Sequence, residues 1–176
     1  MVRNFNTMKN FKIISLIILM SSIFVSSCKD DRLENMVDDK VYVLKSGLNE
    51  VEIEKQGSYT YSLYVIKSGV GRQEFDVQLS INESVLNSYN QMNETEYVLL
   101  PSQYYKLTTD SKFIGKEDYR TPFDIVLDTE AILDLQMNSE IEYALPFELK
   151  LINATVEVGG DDNMTSIFVP IINEPI

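Results

Sequence analysis

Histidine and tryptophan are absent from this sequence, and cysteine occurs once, at Cys28. Without histidine, Ser-His-Asp and Cys-His catalysis and the usual zinc sites are excluded. Without tryptophan, the side chain best suited to a flat sugar-stacking platform is missing, and ten tyrosines are the remaining candidates. A single cysteine closes no internal disulfide, so the core must hold by packing and the thiol must serve another purpose. Basic residues are scarce too: 15 lysines and arginines stand against 27 aspartates and glutamates. No Walker loop, dinucleotide-binding glycine pattern or metal-ligand cluster is present, so no cofactor is expected.

The position of Cys28 gives the thiol its purpose. Arg3, Lys9 and Lys12 form a positive segment without an acid, and Ile13 to Val25 follows without a charge. That run is shorter than the ~20 apolar residues a membrane-spanning helix needs, and it suits the apolar region of a secretory signal. Val25-Ser26-Ser27 then places small residues before Cys28, a pattern that resembles the lipobox of bacterial lipoproteins. The resemblance implies a lipid on the Cys28 sulfur, cleavage before it, and acylation of the new amino terminus. Two or three acyl chains anchor stably where one binds only marginally. Lys29, Asp30 and Asp31 look like the export signal that sends Bacteroidetes lipoproteins to the outer face of the outer membrane. The expected organisation is a signal peptide over 1–27, a lipidated cysteine and tether over 28–40, and one folded domain over 41–176.

Removing residues 1–27 leaves 149 of 176 residues and, with three bases gone, moves the formal charge from −12 to −15. Such a surface repels nucleic acid phosphates and anionic lipid, so neither is an expected partner beyond the lipid anchor itself. The charges are interspersed, as on a folded domain large enough for its own core.

Period-two alternation dominates the rest. In "QEFDVQLSI", Phe75, Val77, Leu79 and Ile81 face one way and Glu74, Asp76, Gln78 and Ser80 the other. In "SYTYSLYVI" a second face carries Tyr64 and Ile66, which reads as a strand covered on both sides. "KVYVL", "NEVEIE", "PFDIVLD", "PFELKLIN" and "TSIFVPII" are further strands, with glycines as turns between them. "NESVLNSYNQMN" brings Val85, Leu86 and Tyr89 together as a short helix across one end of the sheets. "DTEAILDLQMNSE" reads as another, with Asp128 or Thr129 as N-cap. About seven short strands with one or two short helices predict an all-β, immunoglobulin-like β-sandwich.

Three patterns occur in a fixed order: "YN" at Tyr89-Asn90, "Y-x-x-L-P" at Tyr97–Pro101 and "Y-x-L-P" at Tyr143–Pro146, before the closing strand "TSIFVPII". Together they resemble domain of unknown function 1735, the N-terminal immunoglobulin-like domain of many Bacteroidetes surface lipoproteins, over roughly residues 40–172. The resemblance implies a place on the cell surface among polysaccharide-utilisation systems, with polysaccharide or outer-membrane glycan-importer proteins as partners. In that family a lectin-like sandwich or a glycosidase barrel usually follows; here the expectation is a stand-alone domain.

Tyr104-Tyr105, with Tyr119 downstream, are the candidate glycan platform, because a phenol ring stacks on a pyranose while its hydroxyl bonds. Neighbours on a strand face opposite ways, so one of the adjacent pair would be exposed at most. Asp124, Asp128, Glu130 and Asp134 are the carboxylates a glycosidase reading would need, but they fall on solvent faces or a helix start. Asp161, Asp162 and Asn163 in "GGDDNMT" offer hard oxygens for calcium without regular spacing, and read better as a hairpin turn. Asn82, Asn93, Asn153 and Asn163 open N-x-S/T triplets by coincidence. The expected function is non-catalytic glycan capture. The alternative is an adhesive or fimbrial component that binds a protein through an exposed apolar strand edge or groove.

Overall fold

The computed structural model describes residues 40–69, 73–154, 157–158 and 161–175; Cys28, Lys29, Asp30 and Asp31 lie outside them. All seven expected strands form: β1 (Lys40–Val43), β2 (Gly47–Glu54), β3 (Ser58–Ser68), β4 (Phe75–Ile81), β8 (Arg120–Asp128), β9 (Tyr143–Ile152) and β11 (Thr165–Asn173). Four more join them, making eleven among the described residues rather than about seven: β5 (Val98–Leu99), β6 (Tyr105–Leu107), β7 (Ser111–Ile114) and β10 (Glu157–Val158). These short pieces lie at sheet edges or off the main path, too brief to show an alternating pattern in sequence.

The strands form two sheets, ordered β10-β1-β3-β8-β6 and β2-β11-β9-β4-β7, with β5 beside β9. In immunoglobulin terms β1, β3, β8 and β6 take the A, B, E and D positions, and β4, β9 and β11 take C, F and G. The chain crosses between sheets after β1. Lys45 and Gly47 adopt φ of 62° and 78°, and β2 then runs parallel to β11. The Asn49 amide at 2.7 Å and the buried Ser166 hydroxyl at 2.9 Å both donate to the Lys45 carbonyl and fix the crossing.

Helix α1 (Glu83–Asn93) starts at Asn82, whose side chain accepts from the Ser84 N–H, and ends at Glu94 in the left-handed conformation. It does not lie across an end of the sheets, as its sequence suggested. Leu86 packs instead with Ala144, Ile167 and Val169 on the outer face of the second sheet. The reason is that β9 and β11 are apolar on both faces, and the second face needs a cover. Strand β3 departs from expectation the other way: its second face leaves Tyr64 and Ile66 half-exposed.

Inside the sandwich Tyr61 of β3 stacks on Phe168 of β11 at 4.1 Å between ring centres. Helix α2 (Thr129–Met137), capped by Asp128, inserts Ile132 and Leu133 into the same core. Its Gln136 amide extends the sheet where the β9 ladder stops. The amide donates to the Pro170 carbonyl at 2.7 Å and accepts from the Ile172 N–H at 3.2 Å. Proline is tolerated in β11 for the same reason, since its missing N–H falls on this side, past the end of the ladder. Replacing Gln136 by Ala should therefore leave two backbone groups unpaired and lower unfolding free energy by ~1–3 kcal/mol in urea denaturation. An unchanged midpoint would show that water substitutes fully for the amide.

Candidate ligand-facing surfaces

Tyr104 ends a 3-10 turn (Ser102–Tyr104) and Tyr105 opens β6, paired with Leu127 of β8. Both rings are half-buried and rest on the rim of the main core, so neither is a bare platform. Between them and Gly57, Ser58, Gln103, Lys106 and Asp128 lies a shallow cleft of about 280 Å³. Burial pushes the Tyr105 hydroxyl above its ordinary value, which keeps it a neutral donor and acceptor. A cleft bounded by two tyrosines and the polar residues Ser58, Gln103 and Asp128 can bind hydroxyl-rich ligands.

Tyr119 is not brought to that cleft. It precedes Arg120 at the opposite end of β8, about 25 Å along the strand from Leu127. Its exposed ring sits 5.7 Å from the ammonium of Lys67, which is 1% exposed. That ammonium donates to the carbonyls of Gln73, Gly115 and Lys116 and so ties the β3–β4 and β7–β8 connections together. The signal for this was legible, since Lys67 follows Tyr61, Leu63 and Val65 in the inward register of β3.

The carboxylates do not converge. Asp124 accepts from the Ser62 hydroxyl at 2.6 Å on the outer face of the first sheet, Asp128 caps α2, and Glu130 and Asp134 face solvent. Asp161–Met164 forms a 3-10 turn, in which the Asn163 side-chain oxygen Oδ1 accepts from the Ser46 hydroxyl. The side chains of Asp161 and Asp162 lie outside the described residues.

Two further surfaces were not anticipated. An apolar groove of about 420 Å³ runs between α1 and the β2–β11 edge, lined by Val85, Tyr89, Met92 and Ile167. The outer face of the first sheet carries a band in which Tyr42 pairs with Ile66, Ile66 with Arg120, and Tyr64 with Pro122. There the Arg120 guanidinium lies 3.7 Å above the Tyr64 ring.

A family model with the description "-like, N-terminal domain" matches residues 35–165, well over half of the chain. The chain belongs to this family, the Bacteroidetes domain of unknown function 1735 type. No curated protein is detectably similar in sequence. Among solved structures, a protein of Bacteroides ovatus to which carbohydrate binding is ascribed is similar at 22% identity and a TM-score of 0.57. The match covers 75% of this chain and 37% of that one. A multidomain protein of the same organism that includes domain 1735 is similar at 17% identity and 0.56, over 75% and 45%. EndoBT-3987 of Bacteroides thetaiotaomicron, solved with a Man5GlcNAc product, is similar at 13% identity and 0.59, over 71% and 28%. At these identities the likeness concerns fold, and this chain spans less than half the length of each of the three.

In this member of the 1735 family the motif residues are structural. The Asn90 amide donates to the Tyr97 carbonyl at 2.8 Å, and its oxygen accepts from Thr95 and from the Tyr97 N–H. The Leu100 N–H donates to the Ala144 carbonyl, which docks "Y-x-x-L-P" on "Y-x-L-P". Tyr97 packs with Tyr89 beneath α1 and reaches the Glu50 carboxylate at 3.3 Å. Burial, then Glu142 and Glu50, hold its hydroxyl above the ordinary range.

Asn82 ties the helix to β9, because its amide also donates to Glu148 at 2.8 Å. Burial pushes the Glu148 carboxyl up, but the bonds from Asn82 and Lys150 outweigh it and hold the group below its usual range. A depressed carboxyl stabilises the fold above its unfolded value and loses that contribution as pH falls through the folded one. Asn82→Ala should thus cost ~1–2 kcal/mol at neutral pH, with the deficit narrowing on acidification through and below the ordinary carboxylate range. A deficit in chemical denaturation that does not change with pH would remove Glu148 from the account.

Proposed function

We propose that the chain is a non-catalytic, lipid-anchored component of the outer-membrane surface that holds glycan as an accessory to polysaccharide uptake. The observation that carries this reading is the cleft at Tyr104 and Tyr105, bounded by the polar residues Ser58, Gln103 and Asp128 at one end of the sandwich. The carbohydrate binding ascribed to a similar Bacteroides ovatus protein supports it, as does membership of the 1735 family. The lipobox-like residues before Cys28, with Lys29, Asp30 and Asp31 after it, support anchoring and display. Tyr119, remote from the cleft, would contact only a long ligand or a neighbouring protein.

Against a hydrolytic role, Asp128 is committed to a helix cap and Asp124 to Ser62. The adhesive alternative predicts an exposed apolar strand edge or groove, and the groove between α1 and the β2–β11 edge is such a surface. A donor strand could not enter at the G position, which the chain's own β11 fills with Phe168 fully buried.

Affinity electrophoresis of the lipid-free domain against plant, host and microbial polysaccharides tests the reading. Retardation by one glycan, lost in Tyr104→Ala or Tyr105→Ala with circular dichroism unchanged, is the expected outcome. Absence of retardation across the panel would replace glycan with a protein partner. In cells, Cys28→Ala should move the protein out of the outer-membrane fraction, and retention there would overturn the anchor.

A further inference from the structure

The two outer faces of the sandwich differ in cover and in charge. Helix α1 buries part of the second sheet's outer face, and the β2 residues beside it are Glu50, Glu52 and Glu54. The first sheet keeps a half-exposed band of Tyr42, Tyr64, Ile66 and Pro122, with Lys106 and Arg120 exposed on the same side. Among the described residues, the Arg120 side chain makes no hydrogen bond or ion pair, and its guanidinium lies over the Tyr64 ring at 3.7 Å. Stacking fixes the guanidinium plane and leaves its in-plane donors pointing away from the ring, available to a carboxylate in bidentate geometry. Tyr42 lies in the same row two strands away, about 10 Å across, which is the reach of a disaccharide.

We infer that this face is a second binding surface, for acidic polysaccharide, in which Arg120 clasps a uronate carboxylate and Tyr42 stacks on the neighbouring sugar. Tyr64 is a positioning residue that holds the guanidinium flat. Charge complementarity selects this occupant even though the protein is acidic overall. At physiological ionic strength charges beyond ~8 Å are largely screened, so local groups decide. Of the acids in the outward register, Asp124 is four residues from Arg120, about 13 Å along β8, and already accepts from Ser62. Asp128 lies farther along and caps α2, and Glu157 is paired with Lys40 on the strand beyond Tyr42. An extended strip with a ring at Tyr42 and a bidentate donor at Arg120 suits a chain of rings better than a folded peptide.

This inference rests on the glycan-binding reading and concerns a different surface from the Tyr104 cleft. The test is isothermal titration calorimetry of the whole chain in neutral detergent with polygalacturonate, its carboxyl-reduced counterpart and polyglutamate. The expected result is binding of polygalacturonate at least about tenfold tighter than of the other two. Arg120→Gln should remove that preference with the thermal midpoint unchanged, while Arg120→Lys and Tyr64→Ala should weaken it without abolishing it. Tyr104→Ala should leave it intact. Equal binding of polygalacturonate and its reduced form, or insensitivity to Arg120→Gln, would overturn the inference while leaving the glycan reading standing. Equal binding of polyglutamate would turn the surface into an acidic-peptide site. Binding of none of the three, together with an empty neutral panel, would overturn both.

Discussion

Burial of β11 on both of its faces is the constraint from which the architecture follows. Phe168 enters the core and stacks on Tyr61, while Ile167 and Val169 point outward into a second apolar layer under α1. One edge of the strand is taken by β2 and the other by β9, and beyond the end of that ladder the Gln136 side chain supplies the missing pair. A sandwich without a disulfide needs such a strand, because only packing holds its sheets together. The crossing after β1 is pinned to β11 as well, through Ser166 and the Lys45 carbonyl.

The difference between the two outer faces derives from the same strand. Because β9 and β11 are apolar on their outer faces, α1 must cover them, and the family motifs at Asn90, Tyr97 and Ala144 exist to hold that cover down. The first sheet has no such requirement and presents polar and aromatic side chains. The two surfaces proposed for binding, the outer face of that sheet and the cleft beside β6, thereby both lie away from α1.

The long strands were legible because each is buried on a regular face, as Phe75, Val77 and Leu79 are. Helix α2 was legible from its cap, Asp128. Placement was harder to read than type. The pattern Val85, Leu86, Tyr89 states that α1 has an apolar stripe, but what lies beneath it depends on strands some sixty to eighty residues away. Doubly apolar sequence also had two meanings: in β11 it marked a covered face, whereas in β3 it marked an open one whose Tyr64 carries Arg120. Of the three candidate tyrosines, adjacency in sequence kept Tyr104 and Tyr105 together, and the direction of β8 carried Tyr119 to the far end. The pairing of Arg120 with Tyr64 required a strand register that no local pattern contains.

Native-state hydrogen exchange of the β11 amides tests the central role of that strand most directly. The account predicts that Phe168 and Ile172 exchange only through global unfolding, with the same opening free energy as Leu63 and Ile125 in the first sheet. Exchange of β11 through a lower-energy local opening, while β3 and β8 stay protected, would contradict it and would describe a sandwich whose closing strand is detachable.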